Sequence, residues 1–129
     1  MSKTQHIGIV GCSPPGAALC YQTICMEGAN SASGGLSSPQ VSMHSYPLSE
    51  YMRRIEAGDW EDVADLMLSS AEKLASIGAQ ILIAPCNTIH RAFELVEPRS
   101  PLPWLHIAKE VATEAKRLGY RKVALLGTR

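Results

Sequence analysis

Gln80-Ile81-Leu82-Ile83-Ala84-Pro85-Cys86-Asn87-Thr88-Ile89-His90 decides how the rest of the chain is read. An unbroken apolar run from Ile81 to Pro85 ends at a cysteine, and turn-forming residues follow it. A short apolar run bounded by turn residues is the pattern of a strand buried on both faces of a parallel sheet. Pro85 suits the last position of that strand, where no ladder donor is needed. Cys86 then falls just beyond the carboxyl end of a central strand, the edge at which open α/β sheets bind ligands. A helix starting near Thr88 aims its first amides into the same space, which favours an anion there and a thiolate on Cys86. The simpler reading of Cys86 is a small buried side chain at a strand end.

Upstream, Ile7 to Gly11 reads as the first strand, and Cys12-Ser13-Pro14-Pro15-Gly16 as the turn into a helix. That helix is expected from Ala17 to Glu27, closed by Gly28, with Ala18, Tyr21, Gln22 and Cys25 on its packed side. Gly8, Gly11 and Gly16 miss the G-x-G-x-x-G spacing, and two prolines remove amide donors, so the match to a phosphate or dinucleotide loop is poor. The turn reads instead as the wall of a small anion pocket. Ser13 either offers a hydroxyl or amide to a carboxylate or only shapes the turn. Residues 29–40 are Gly- and Ser-rich and read as a flexible loop. Val41 to His44 is the second strand, which places His44 and Ser45 on the same edge as Ser13 and Cys86.

Leu48 to Ala57 reads as a helix stopped by Gly58. Arg53 and Arg54 on it are solvated charges or reach a substrate carboxylate. Asp59 caps the next helix, with Asp62 three positions on. Its buried stripe is Val63, Leu66, Met67, Ala71 and Leu74, and Gly78 ends it. After Cys86 a short helix from Thr88 or Ile89 to Val96 is closed by Pro98. Trp104 to Ile107 gives a fourth strand, leading into a helix with Ile107, Val111, Ala115 and Leu118 inward and Gly119 as its stop. Val123 to Leu126 reads as a fifth strand. The order β-α-β-α-α-β-α-β-α-β argues a doubly wound parallel sheet of four to five strands.

Bulk properties narrow the function. At 129 residues and 46% apolar content the chain fits one globular domain, residues 1–129. Twelve basic and twelve acidic side chains cancel, which gives no electrostatic ground for nucleic acid or a membrane surface as partner. No apolar run reaches bilayer length, and the N-terminus carries no signal-peptide pattern. Cys12, Cys20, Cys25 and Cys86 show no CxxC or zinc-ribbon spacing. Free thiols in a cytoplasmic protein are expected. A metal site from Cys12, His44, Cys86 and His90 would need four separate segments without diagnostic spacing, so none is assigned. Neither Lys73 nor Lys109 falls at a strand end, where a pyridoxal enzyme would need its Schiff-base lysine.

Pro85-Cys86-Asn87-Thr88, followed by His90, resembles the first cysteine motif of the aspartate/glutamate racemases. Ile7-Gly8-Ile9-Val10-Gly11 is similar to that family's opening strand and turn, and Met43-His44-Ser45 to its second strand end. Leu102-Pro103-Trp104-Leu105-His106-Ile107 resembles the segment after the cysteine motif. Val123-Ala124-Leu125-Leu126-Gly127-Thr128 resembles the strand and loop that close the family's first half. The resemblance implies the first of two similar α/β domains and an amino-acid racemase, an isomerase that works without cofactors. It implies Cys86 as one of two acid/base cysteines, and Ser13, Asn87, Thr88 and Thr128 as substrate-binding residues. The implied ligand is a small dicarboxylic amino acid, aspartate or glutamate, and self-association into a homo-oligomer is left open. The family's second domain and second cysteine are absent from these 129 residues, so the isolated chain is expected to be inactive or very weak. Cys12, at the neighbouring strand end, is the only local candidate for the partner of Cys86, but it stands where the family has glycine and is read as packing. The alternative is a non-catalytic racemase-like module that binds a small carboxylic acid or serves in assembly. Racemisation demands a strong base on one face of Cα and a proton donor on the other, because the Cα proton is very weakly acidic.

Overall fold

The protein is described here by a computed structural model, which covers residues 5–31 and 38–126. Four strands, β1 (Ile7–Gly11), β2 (Val41–Ser45), β3 (Ile81–Ile83) and β4 (Trp104–Leu105), form one sheet in the order β2-β1-β3-β4. Every neighbouring pair is parallel. The two central strands are the apolar ones, and Ile9, Val10 and Leu82 are fully buried, as a sheet covered on both faces requires.

Helices α1 (Pro14–Ser31) and α3 (Trp60–Ser76) cover the sheet, with α2 (Leu48–Ala57) packed on α3. The core lies between sheet and α3: Val10, Leu82 and Ala84 meet Val63, Met67, Ala71 and Leu74. Gly8 makes that approach possible, because a Cβ there would stand 2.7 Å from Leu82 Cδ2 and 3.3 Å from the Leu74 Cβ. The α3 stripe read from the sequence is buried except for Leu66, which is only partly covered. Asp59 caps α3, its carboxylate accepting from the Asp62 amide at 3.1 Å. Helices α2, α3 and α5 (Ile107–Arg117) stop beside Gly58, Gly78 and Gly119, all at positive φ.

Three expectations are corrected. First, α1 begins at Pro14 and runs past Gly28. Its first turn needs no amide donors, so both prolines fit there, and the Ser13 carbonyl accepts from the Ala17 amide at 2.9 Å. Gly28 serves close packing instead of termination: a Cβ there would lie 2.5 Å from Pro39 Cδ. The helix phase is set by Ala17, which is buried and whose Cβ would sit 3.3 Å from one on Gly11. Cys20 and Ile24 therefore turn inward, whereas Ala18, Tyr21 and Gln22 are exposed. Of the loop expected over 29–40, residues 29–31 belong to α1 and residues 32–37 lie outside the described residues.

Second, the segment after Cys86 is one 3-10 turn (Thr88–Ala92), a single α turn, α4 (Phe93–Val96), and a second 3-10 turn (Glu97–Arg99). Third, Val123 to Leu126 form no strand, and Val123, Leu125 and Leu126 are 73%, 96% and 87% exposed. An apolar run has strand propensity, but a strand exists only when another strand takes its hydrogen bonds. Helix α5, which was to return this run to the sheet, buries none of its residues, and Val111 and Leu118 face solvent.

Candidate active site

Parallel strands bring the residues after β1 and β3 to one edge. Cys12 and Ser13 follow β1, and Cys86 and Thr88 follow β3. The turn at Cys86 is tight, since its amide donates to the Ala84 carbonyl at 2.9 Å, a three-residue turn centred on Pro85. Pro85 is thus the hinge beyond the strand and not its last ladder position. A cavity of about 480 Å³ opens at this edge. Its polar side is made by Cys12, Ser13, Cys86, Thr88 and Arg91. The remaining lining is carbon: Leu48, Met52 and Ile55 from α2 and Trp60 from the start of α3.

The two thiols act as a pair. Cys12 is 3% exposed, and it is placed to hydrogen-bond the Cys86 sulfur. That bond, joined by amide bonds from Ile89 and Thr88, outweighs the cost of burial and brings the Cys86 pKa down to about 6. Cys12 is pushed far up, first by its bond to Cys86, then by burial and by the charge on its partner. Of the two thiols Cys86 is therefore the more acidic, and the pair titrates as a unit. The lowered pKa of Cys86 was legible as a strand-end cysteine followed by free amides. Its main cause was not: Cys12, read as packing, is the leading contributor. No long helix starts after Cys86, so two individual amides act where a helix terminus was expected.

His90 completes the turn without entering the cavity. Its Nδ1 lies 2.7 Å from the Cys86 carbonyl, and its Nε2 accepts from the Ile107 amide at 3.3 Å. These partners fix a neutral ring with the proton on Nδ1. Burial lowers the His90 pKa, in keeping with that form. The ring stacks with Phe93 at 5.8 Å and meets His106 edge-on at 4.7 Å. His90 is thus a clamp between the end of β3 and the start of α5.

The other expected site residues divide. Ser13 and Thr88 line the cavity. Asn87 is exposed, makes no side-chain cap bond, and is not among the lining residues. Thr128 lies outside the described residues. His44 stands near the carboxyl end of β2, on the expected edge, but its Nδ1 pairs with the Ser70 hydroxyl at 2.9 Å and it does not line the cavity. Arg53 and Arg54 are both tied to Glu50, at 3.1 and 2.6 Å. The residue missed from the sequence is Arg91. Its guanidinium lies 4.7 Å from the centre of the Trp60 ring. Its position three residues after Thr88, on one side of a 3-10 turn, was the available signal. Among the described residues no three acidic, histidine or cysteine side chains gather as metal ligands. No described helix is long and apolar enough to cross a membrane.

Similar proteins share this architecture. A crystal structure of a Yersinia pestis protein assigned to the Asp/Glu racemases superposes with a TM-score of 0.79 at 27% identity, over 90% of this chain and 50% of that one. An aspartate racemase homologue from Pyrococcus horikoshii OT3 superposes with a TM-score of 0.78 at 25% identity, over the same shares. The broad specificity amino-acid racemase RacX of Bacillus subtilis (strain 168) is 29% identical over 97 residues, which are 75% of this chain and 41% of RacX. The chain thus spans about half the length of these relatives or less. Residues 9–129 match the family model of the Asp/Glu/Hydantoin racemases, and with Cys86 at the strand end that the fold reserves for ligands, the chain belongs to that family.

Proposed function

We propose that this chain carries one half of a cofactor-independent amino-acid racemase site, with Cys86 as the acid/base group. The observation that carries the reading is the placement of Cys86 at the cavity with Cys12 also lining it; hydrogen bonding from Cys12 favours a thiolate at Cys86. In the proposed step the Cys86 sulfur takes the Cα proton, its S–H bond forming as the Cα–H bond breaks. The electron pair delocalises into the carboxylate as an enolate. Thr88 and Ser13 offer donors on that side of the cavity. Return of the proton from Cys86 restores the original configuration. Delivery from the opposite face inverts it.

Cys12 is not that opposite-face donor. Its thiol is engaged in supporting the Cys86 thiolate. Inversion requires a second acid/base group placed across the cavity. The relatives, about twice as long as this chain, support a site completed by further sequence.

The test is isotope exchange in heavy water. Incubated with α-amino acids, the chain should introduce deuterium at Cα, and Cys86→Ala should remove that exchange. Exchange that survives in Cys86→Ala would remove Cys86 from the mechanism.

A further inference from the structure

The cavity beside Cys86 is asymmetric in charge, and that asymmetry bears on what it accepts. Arg91 is the only cationic side chain among the described residues that line it. It makes no ion pair with a described carboxylate, whereas Arg53 and Arg54 are engaged by Glu50 and Arg99 by Asp65. Trp60 beneath the guanidinium holds it in place, so a carboxylate meets a pre-oriented fork. The rest of the lining is carbon: Leu48, Met52 and Ile55, together with the Trp60 ring that carries Arg91. No lining residue there offers a second charge to an anion.

We propose, resting on the racemase reading above, that this site takes an amino acid with one carboxylate and a sizeable apolar side chain. Arg91 holds the carboxylate, and the wall of α2 and Trp60 receives the side chain. Aspartate and glutamate fit poorly, because their second carboxylate would lose water against carbon with no partner to replace it. A leucine- or phenylalanine-sized side chain instead fills the space. The volume of about 480 Å³ lies within the roughly 300–1,000 Å³ of small-ligand sites. This departs from the dicarboxylic ligand expected from the sequence, where neither Arg91 nor the α2 wall could be seen facing the cysteine.

The experiment is protection of Cys86 from iodoacetamide, read by peptide mass spectrometry on the chain. L-leucine, L-phenylalanine, L-aspartate and L-glutamate are compared as protectants. Leucine and phenylalanine should half-protect at concentrations at least about tenfold below those needed for aspartate or glutamate, the scale set by one or two methylenes in an apolar pocket. Arg91→Gln should raise the half-protecting concentration of leucine about tenfold or more, and Arg91→Lys should restore part of it. Met52→Arg, on a partly exposed wall position, adds a second cation and should shift the preference toward aspartate. Equal or better protection by aspartate overturns the proposal, as does protection by none of the four, or Arg91→Gln without effect. Deuterium exchange at Cα separates this from the racemase reading. Leucine that shields Cys86 but exchanges no proton sinks the acid/base role and leaves the ligand class standing. Exchange confined to aspartate does the reverse.

Discussion

In the proposed site, Cys86 and Cys12 carry the chemistry at the scale of single residues. A thiolate stabilised by a neighbouring thiol loses that support when the neighbour cannot donate. Alkylation of Cys86 should therefore follow a titration with its midpoint near 6, reactivity falling as pH drops through it. In Cys12→Ala the midpoint should move up toward the ordinary thiol value of 9.0, and in Cys12→Ser it should move less, since a hydroxyl also donates. The midpoint is the quantity to read, because a thiolate of higher pKa is scarcer but more nucleophilic. An unchanged midpoint in Cys12→Ala would leave the amides of Thr88 and Ile89 as the only cause. His90 gives a second prediction. Its pKa is lowered in the folded chain, chiefly by burial, so the unfolded chain binds the proton more readily. The stability it contributes is complete above its ordinary value of 6.5 and is lost as pH falls through the lower folded value. Protonation also ends Nε2 as acceptor for the Ile107 amide. His44 titrates in the same direction, so melting temperature against pH should be compared between the wild type and His90→Gln. The variant should flatten the acid limb; an identical limb would assign it elsewhere.

Elements depend on a few close approaches. Gly8→Val puts branched carbon where β1 meets Leu82 and α3, and should cost about 1–3 kcal/mol in urea unfolding, the usual penalty of overpacking. Asp59→Ala removes the α3 cap and should cost about 1 kcal/mol. These contacts also explain what was readable in advance. The β1 and β3 runs, the α3 stripe and the helix stops beside Gly58, Gly78 and Gly119 follow from local pattern, because periodicity and positive φ leave a mark on sequence. The phase of α1 leaves none. It is fixed by Ala17 against Gly11, a contact between elements, and of the side read as packed only Cys25 is half-buried. Val123 to Leu126 show the converse, since strand propensity was present but no strand lies beside them.

The cavity belongs to the scale of the whole molecule, where two strand ends, α2 and the start of α3 converge. Cys86 and the edge it stands on were legible from the apolar run before it. The pairing with Cys12 and the arrival of Arg91 over Trp60 were not, because both depend on how far apart elements of different length bring their ends. The half-site proposed for it makes a stereochemical claim: one base, on one face of Cα. The direct measurement is to incubate the chain with L-amino acids in heavy water and follow deuterium at Cα and optical configuration in the same sample. The account predicts slow deuterium uptake with configuration retained, lost in Cys86→Ala and still measurable in Cys12→Ser. Inversion keeping pace with deuterium uptake by these 129 residues would contradict it, since a second acid/base group would then have to stand across the cavity from Cys86 within this chain.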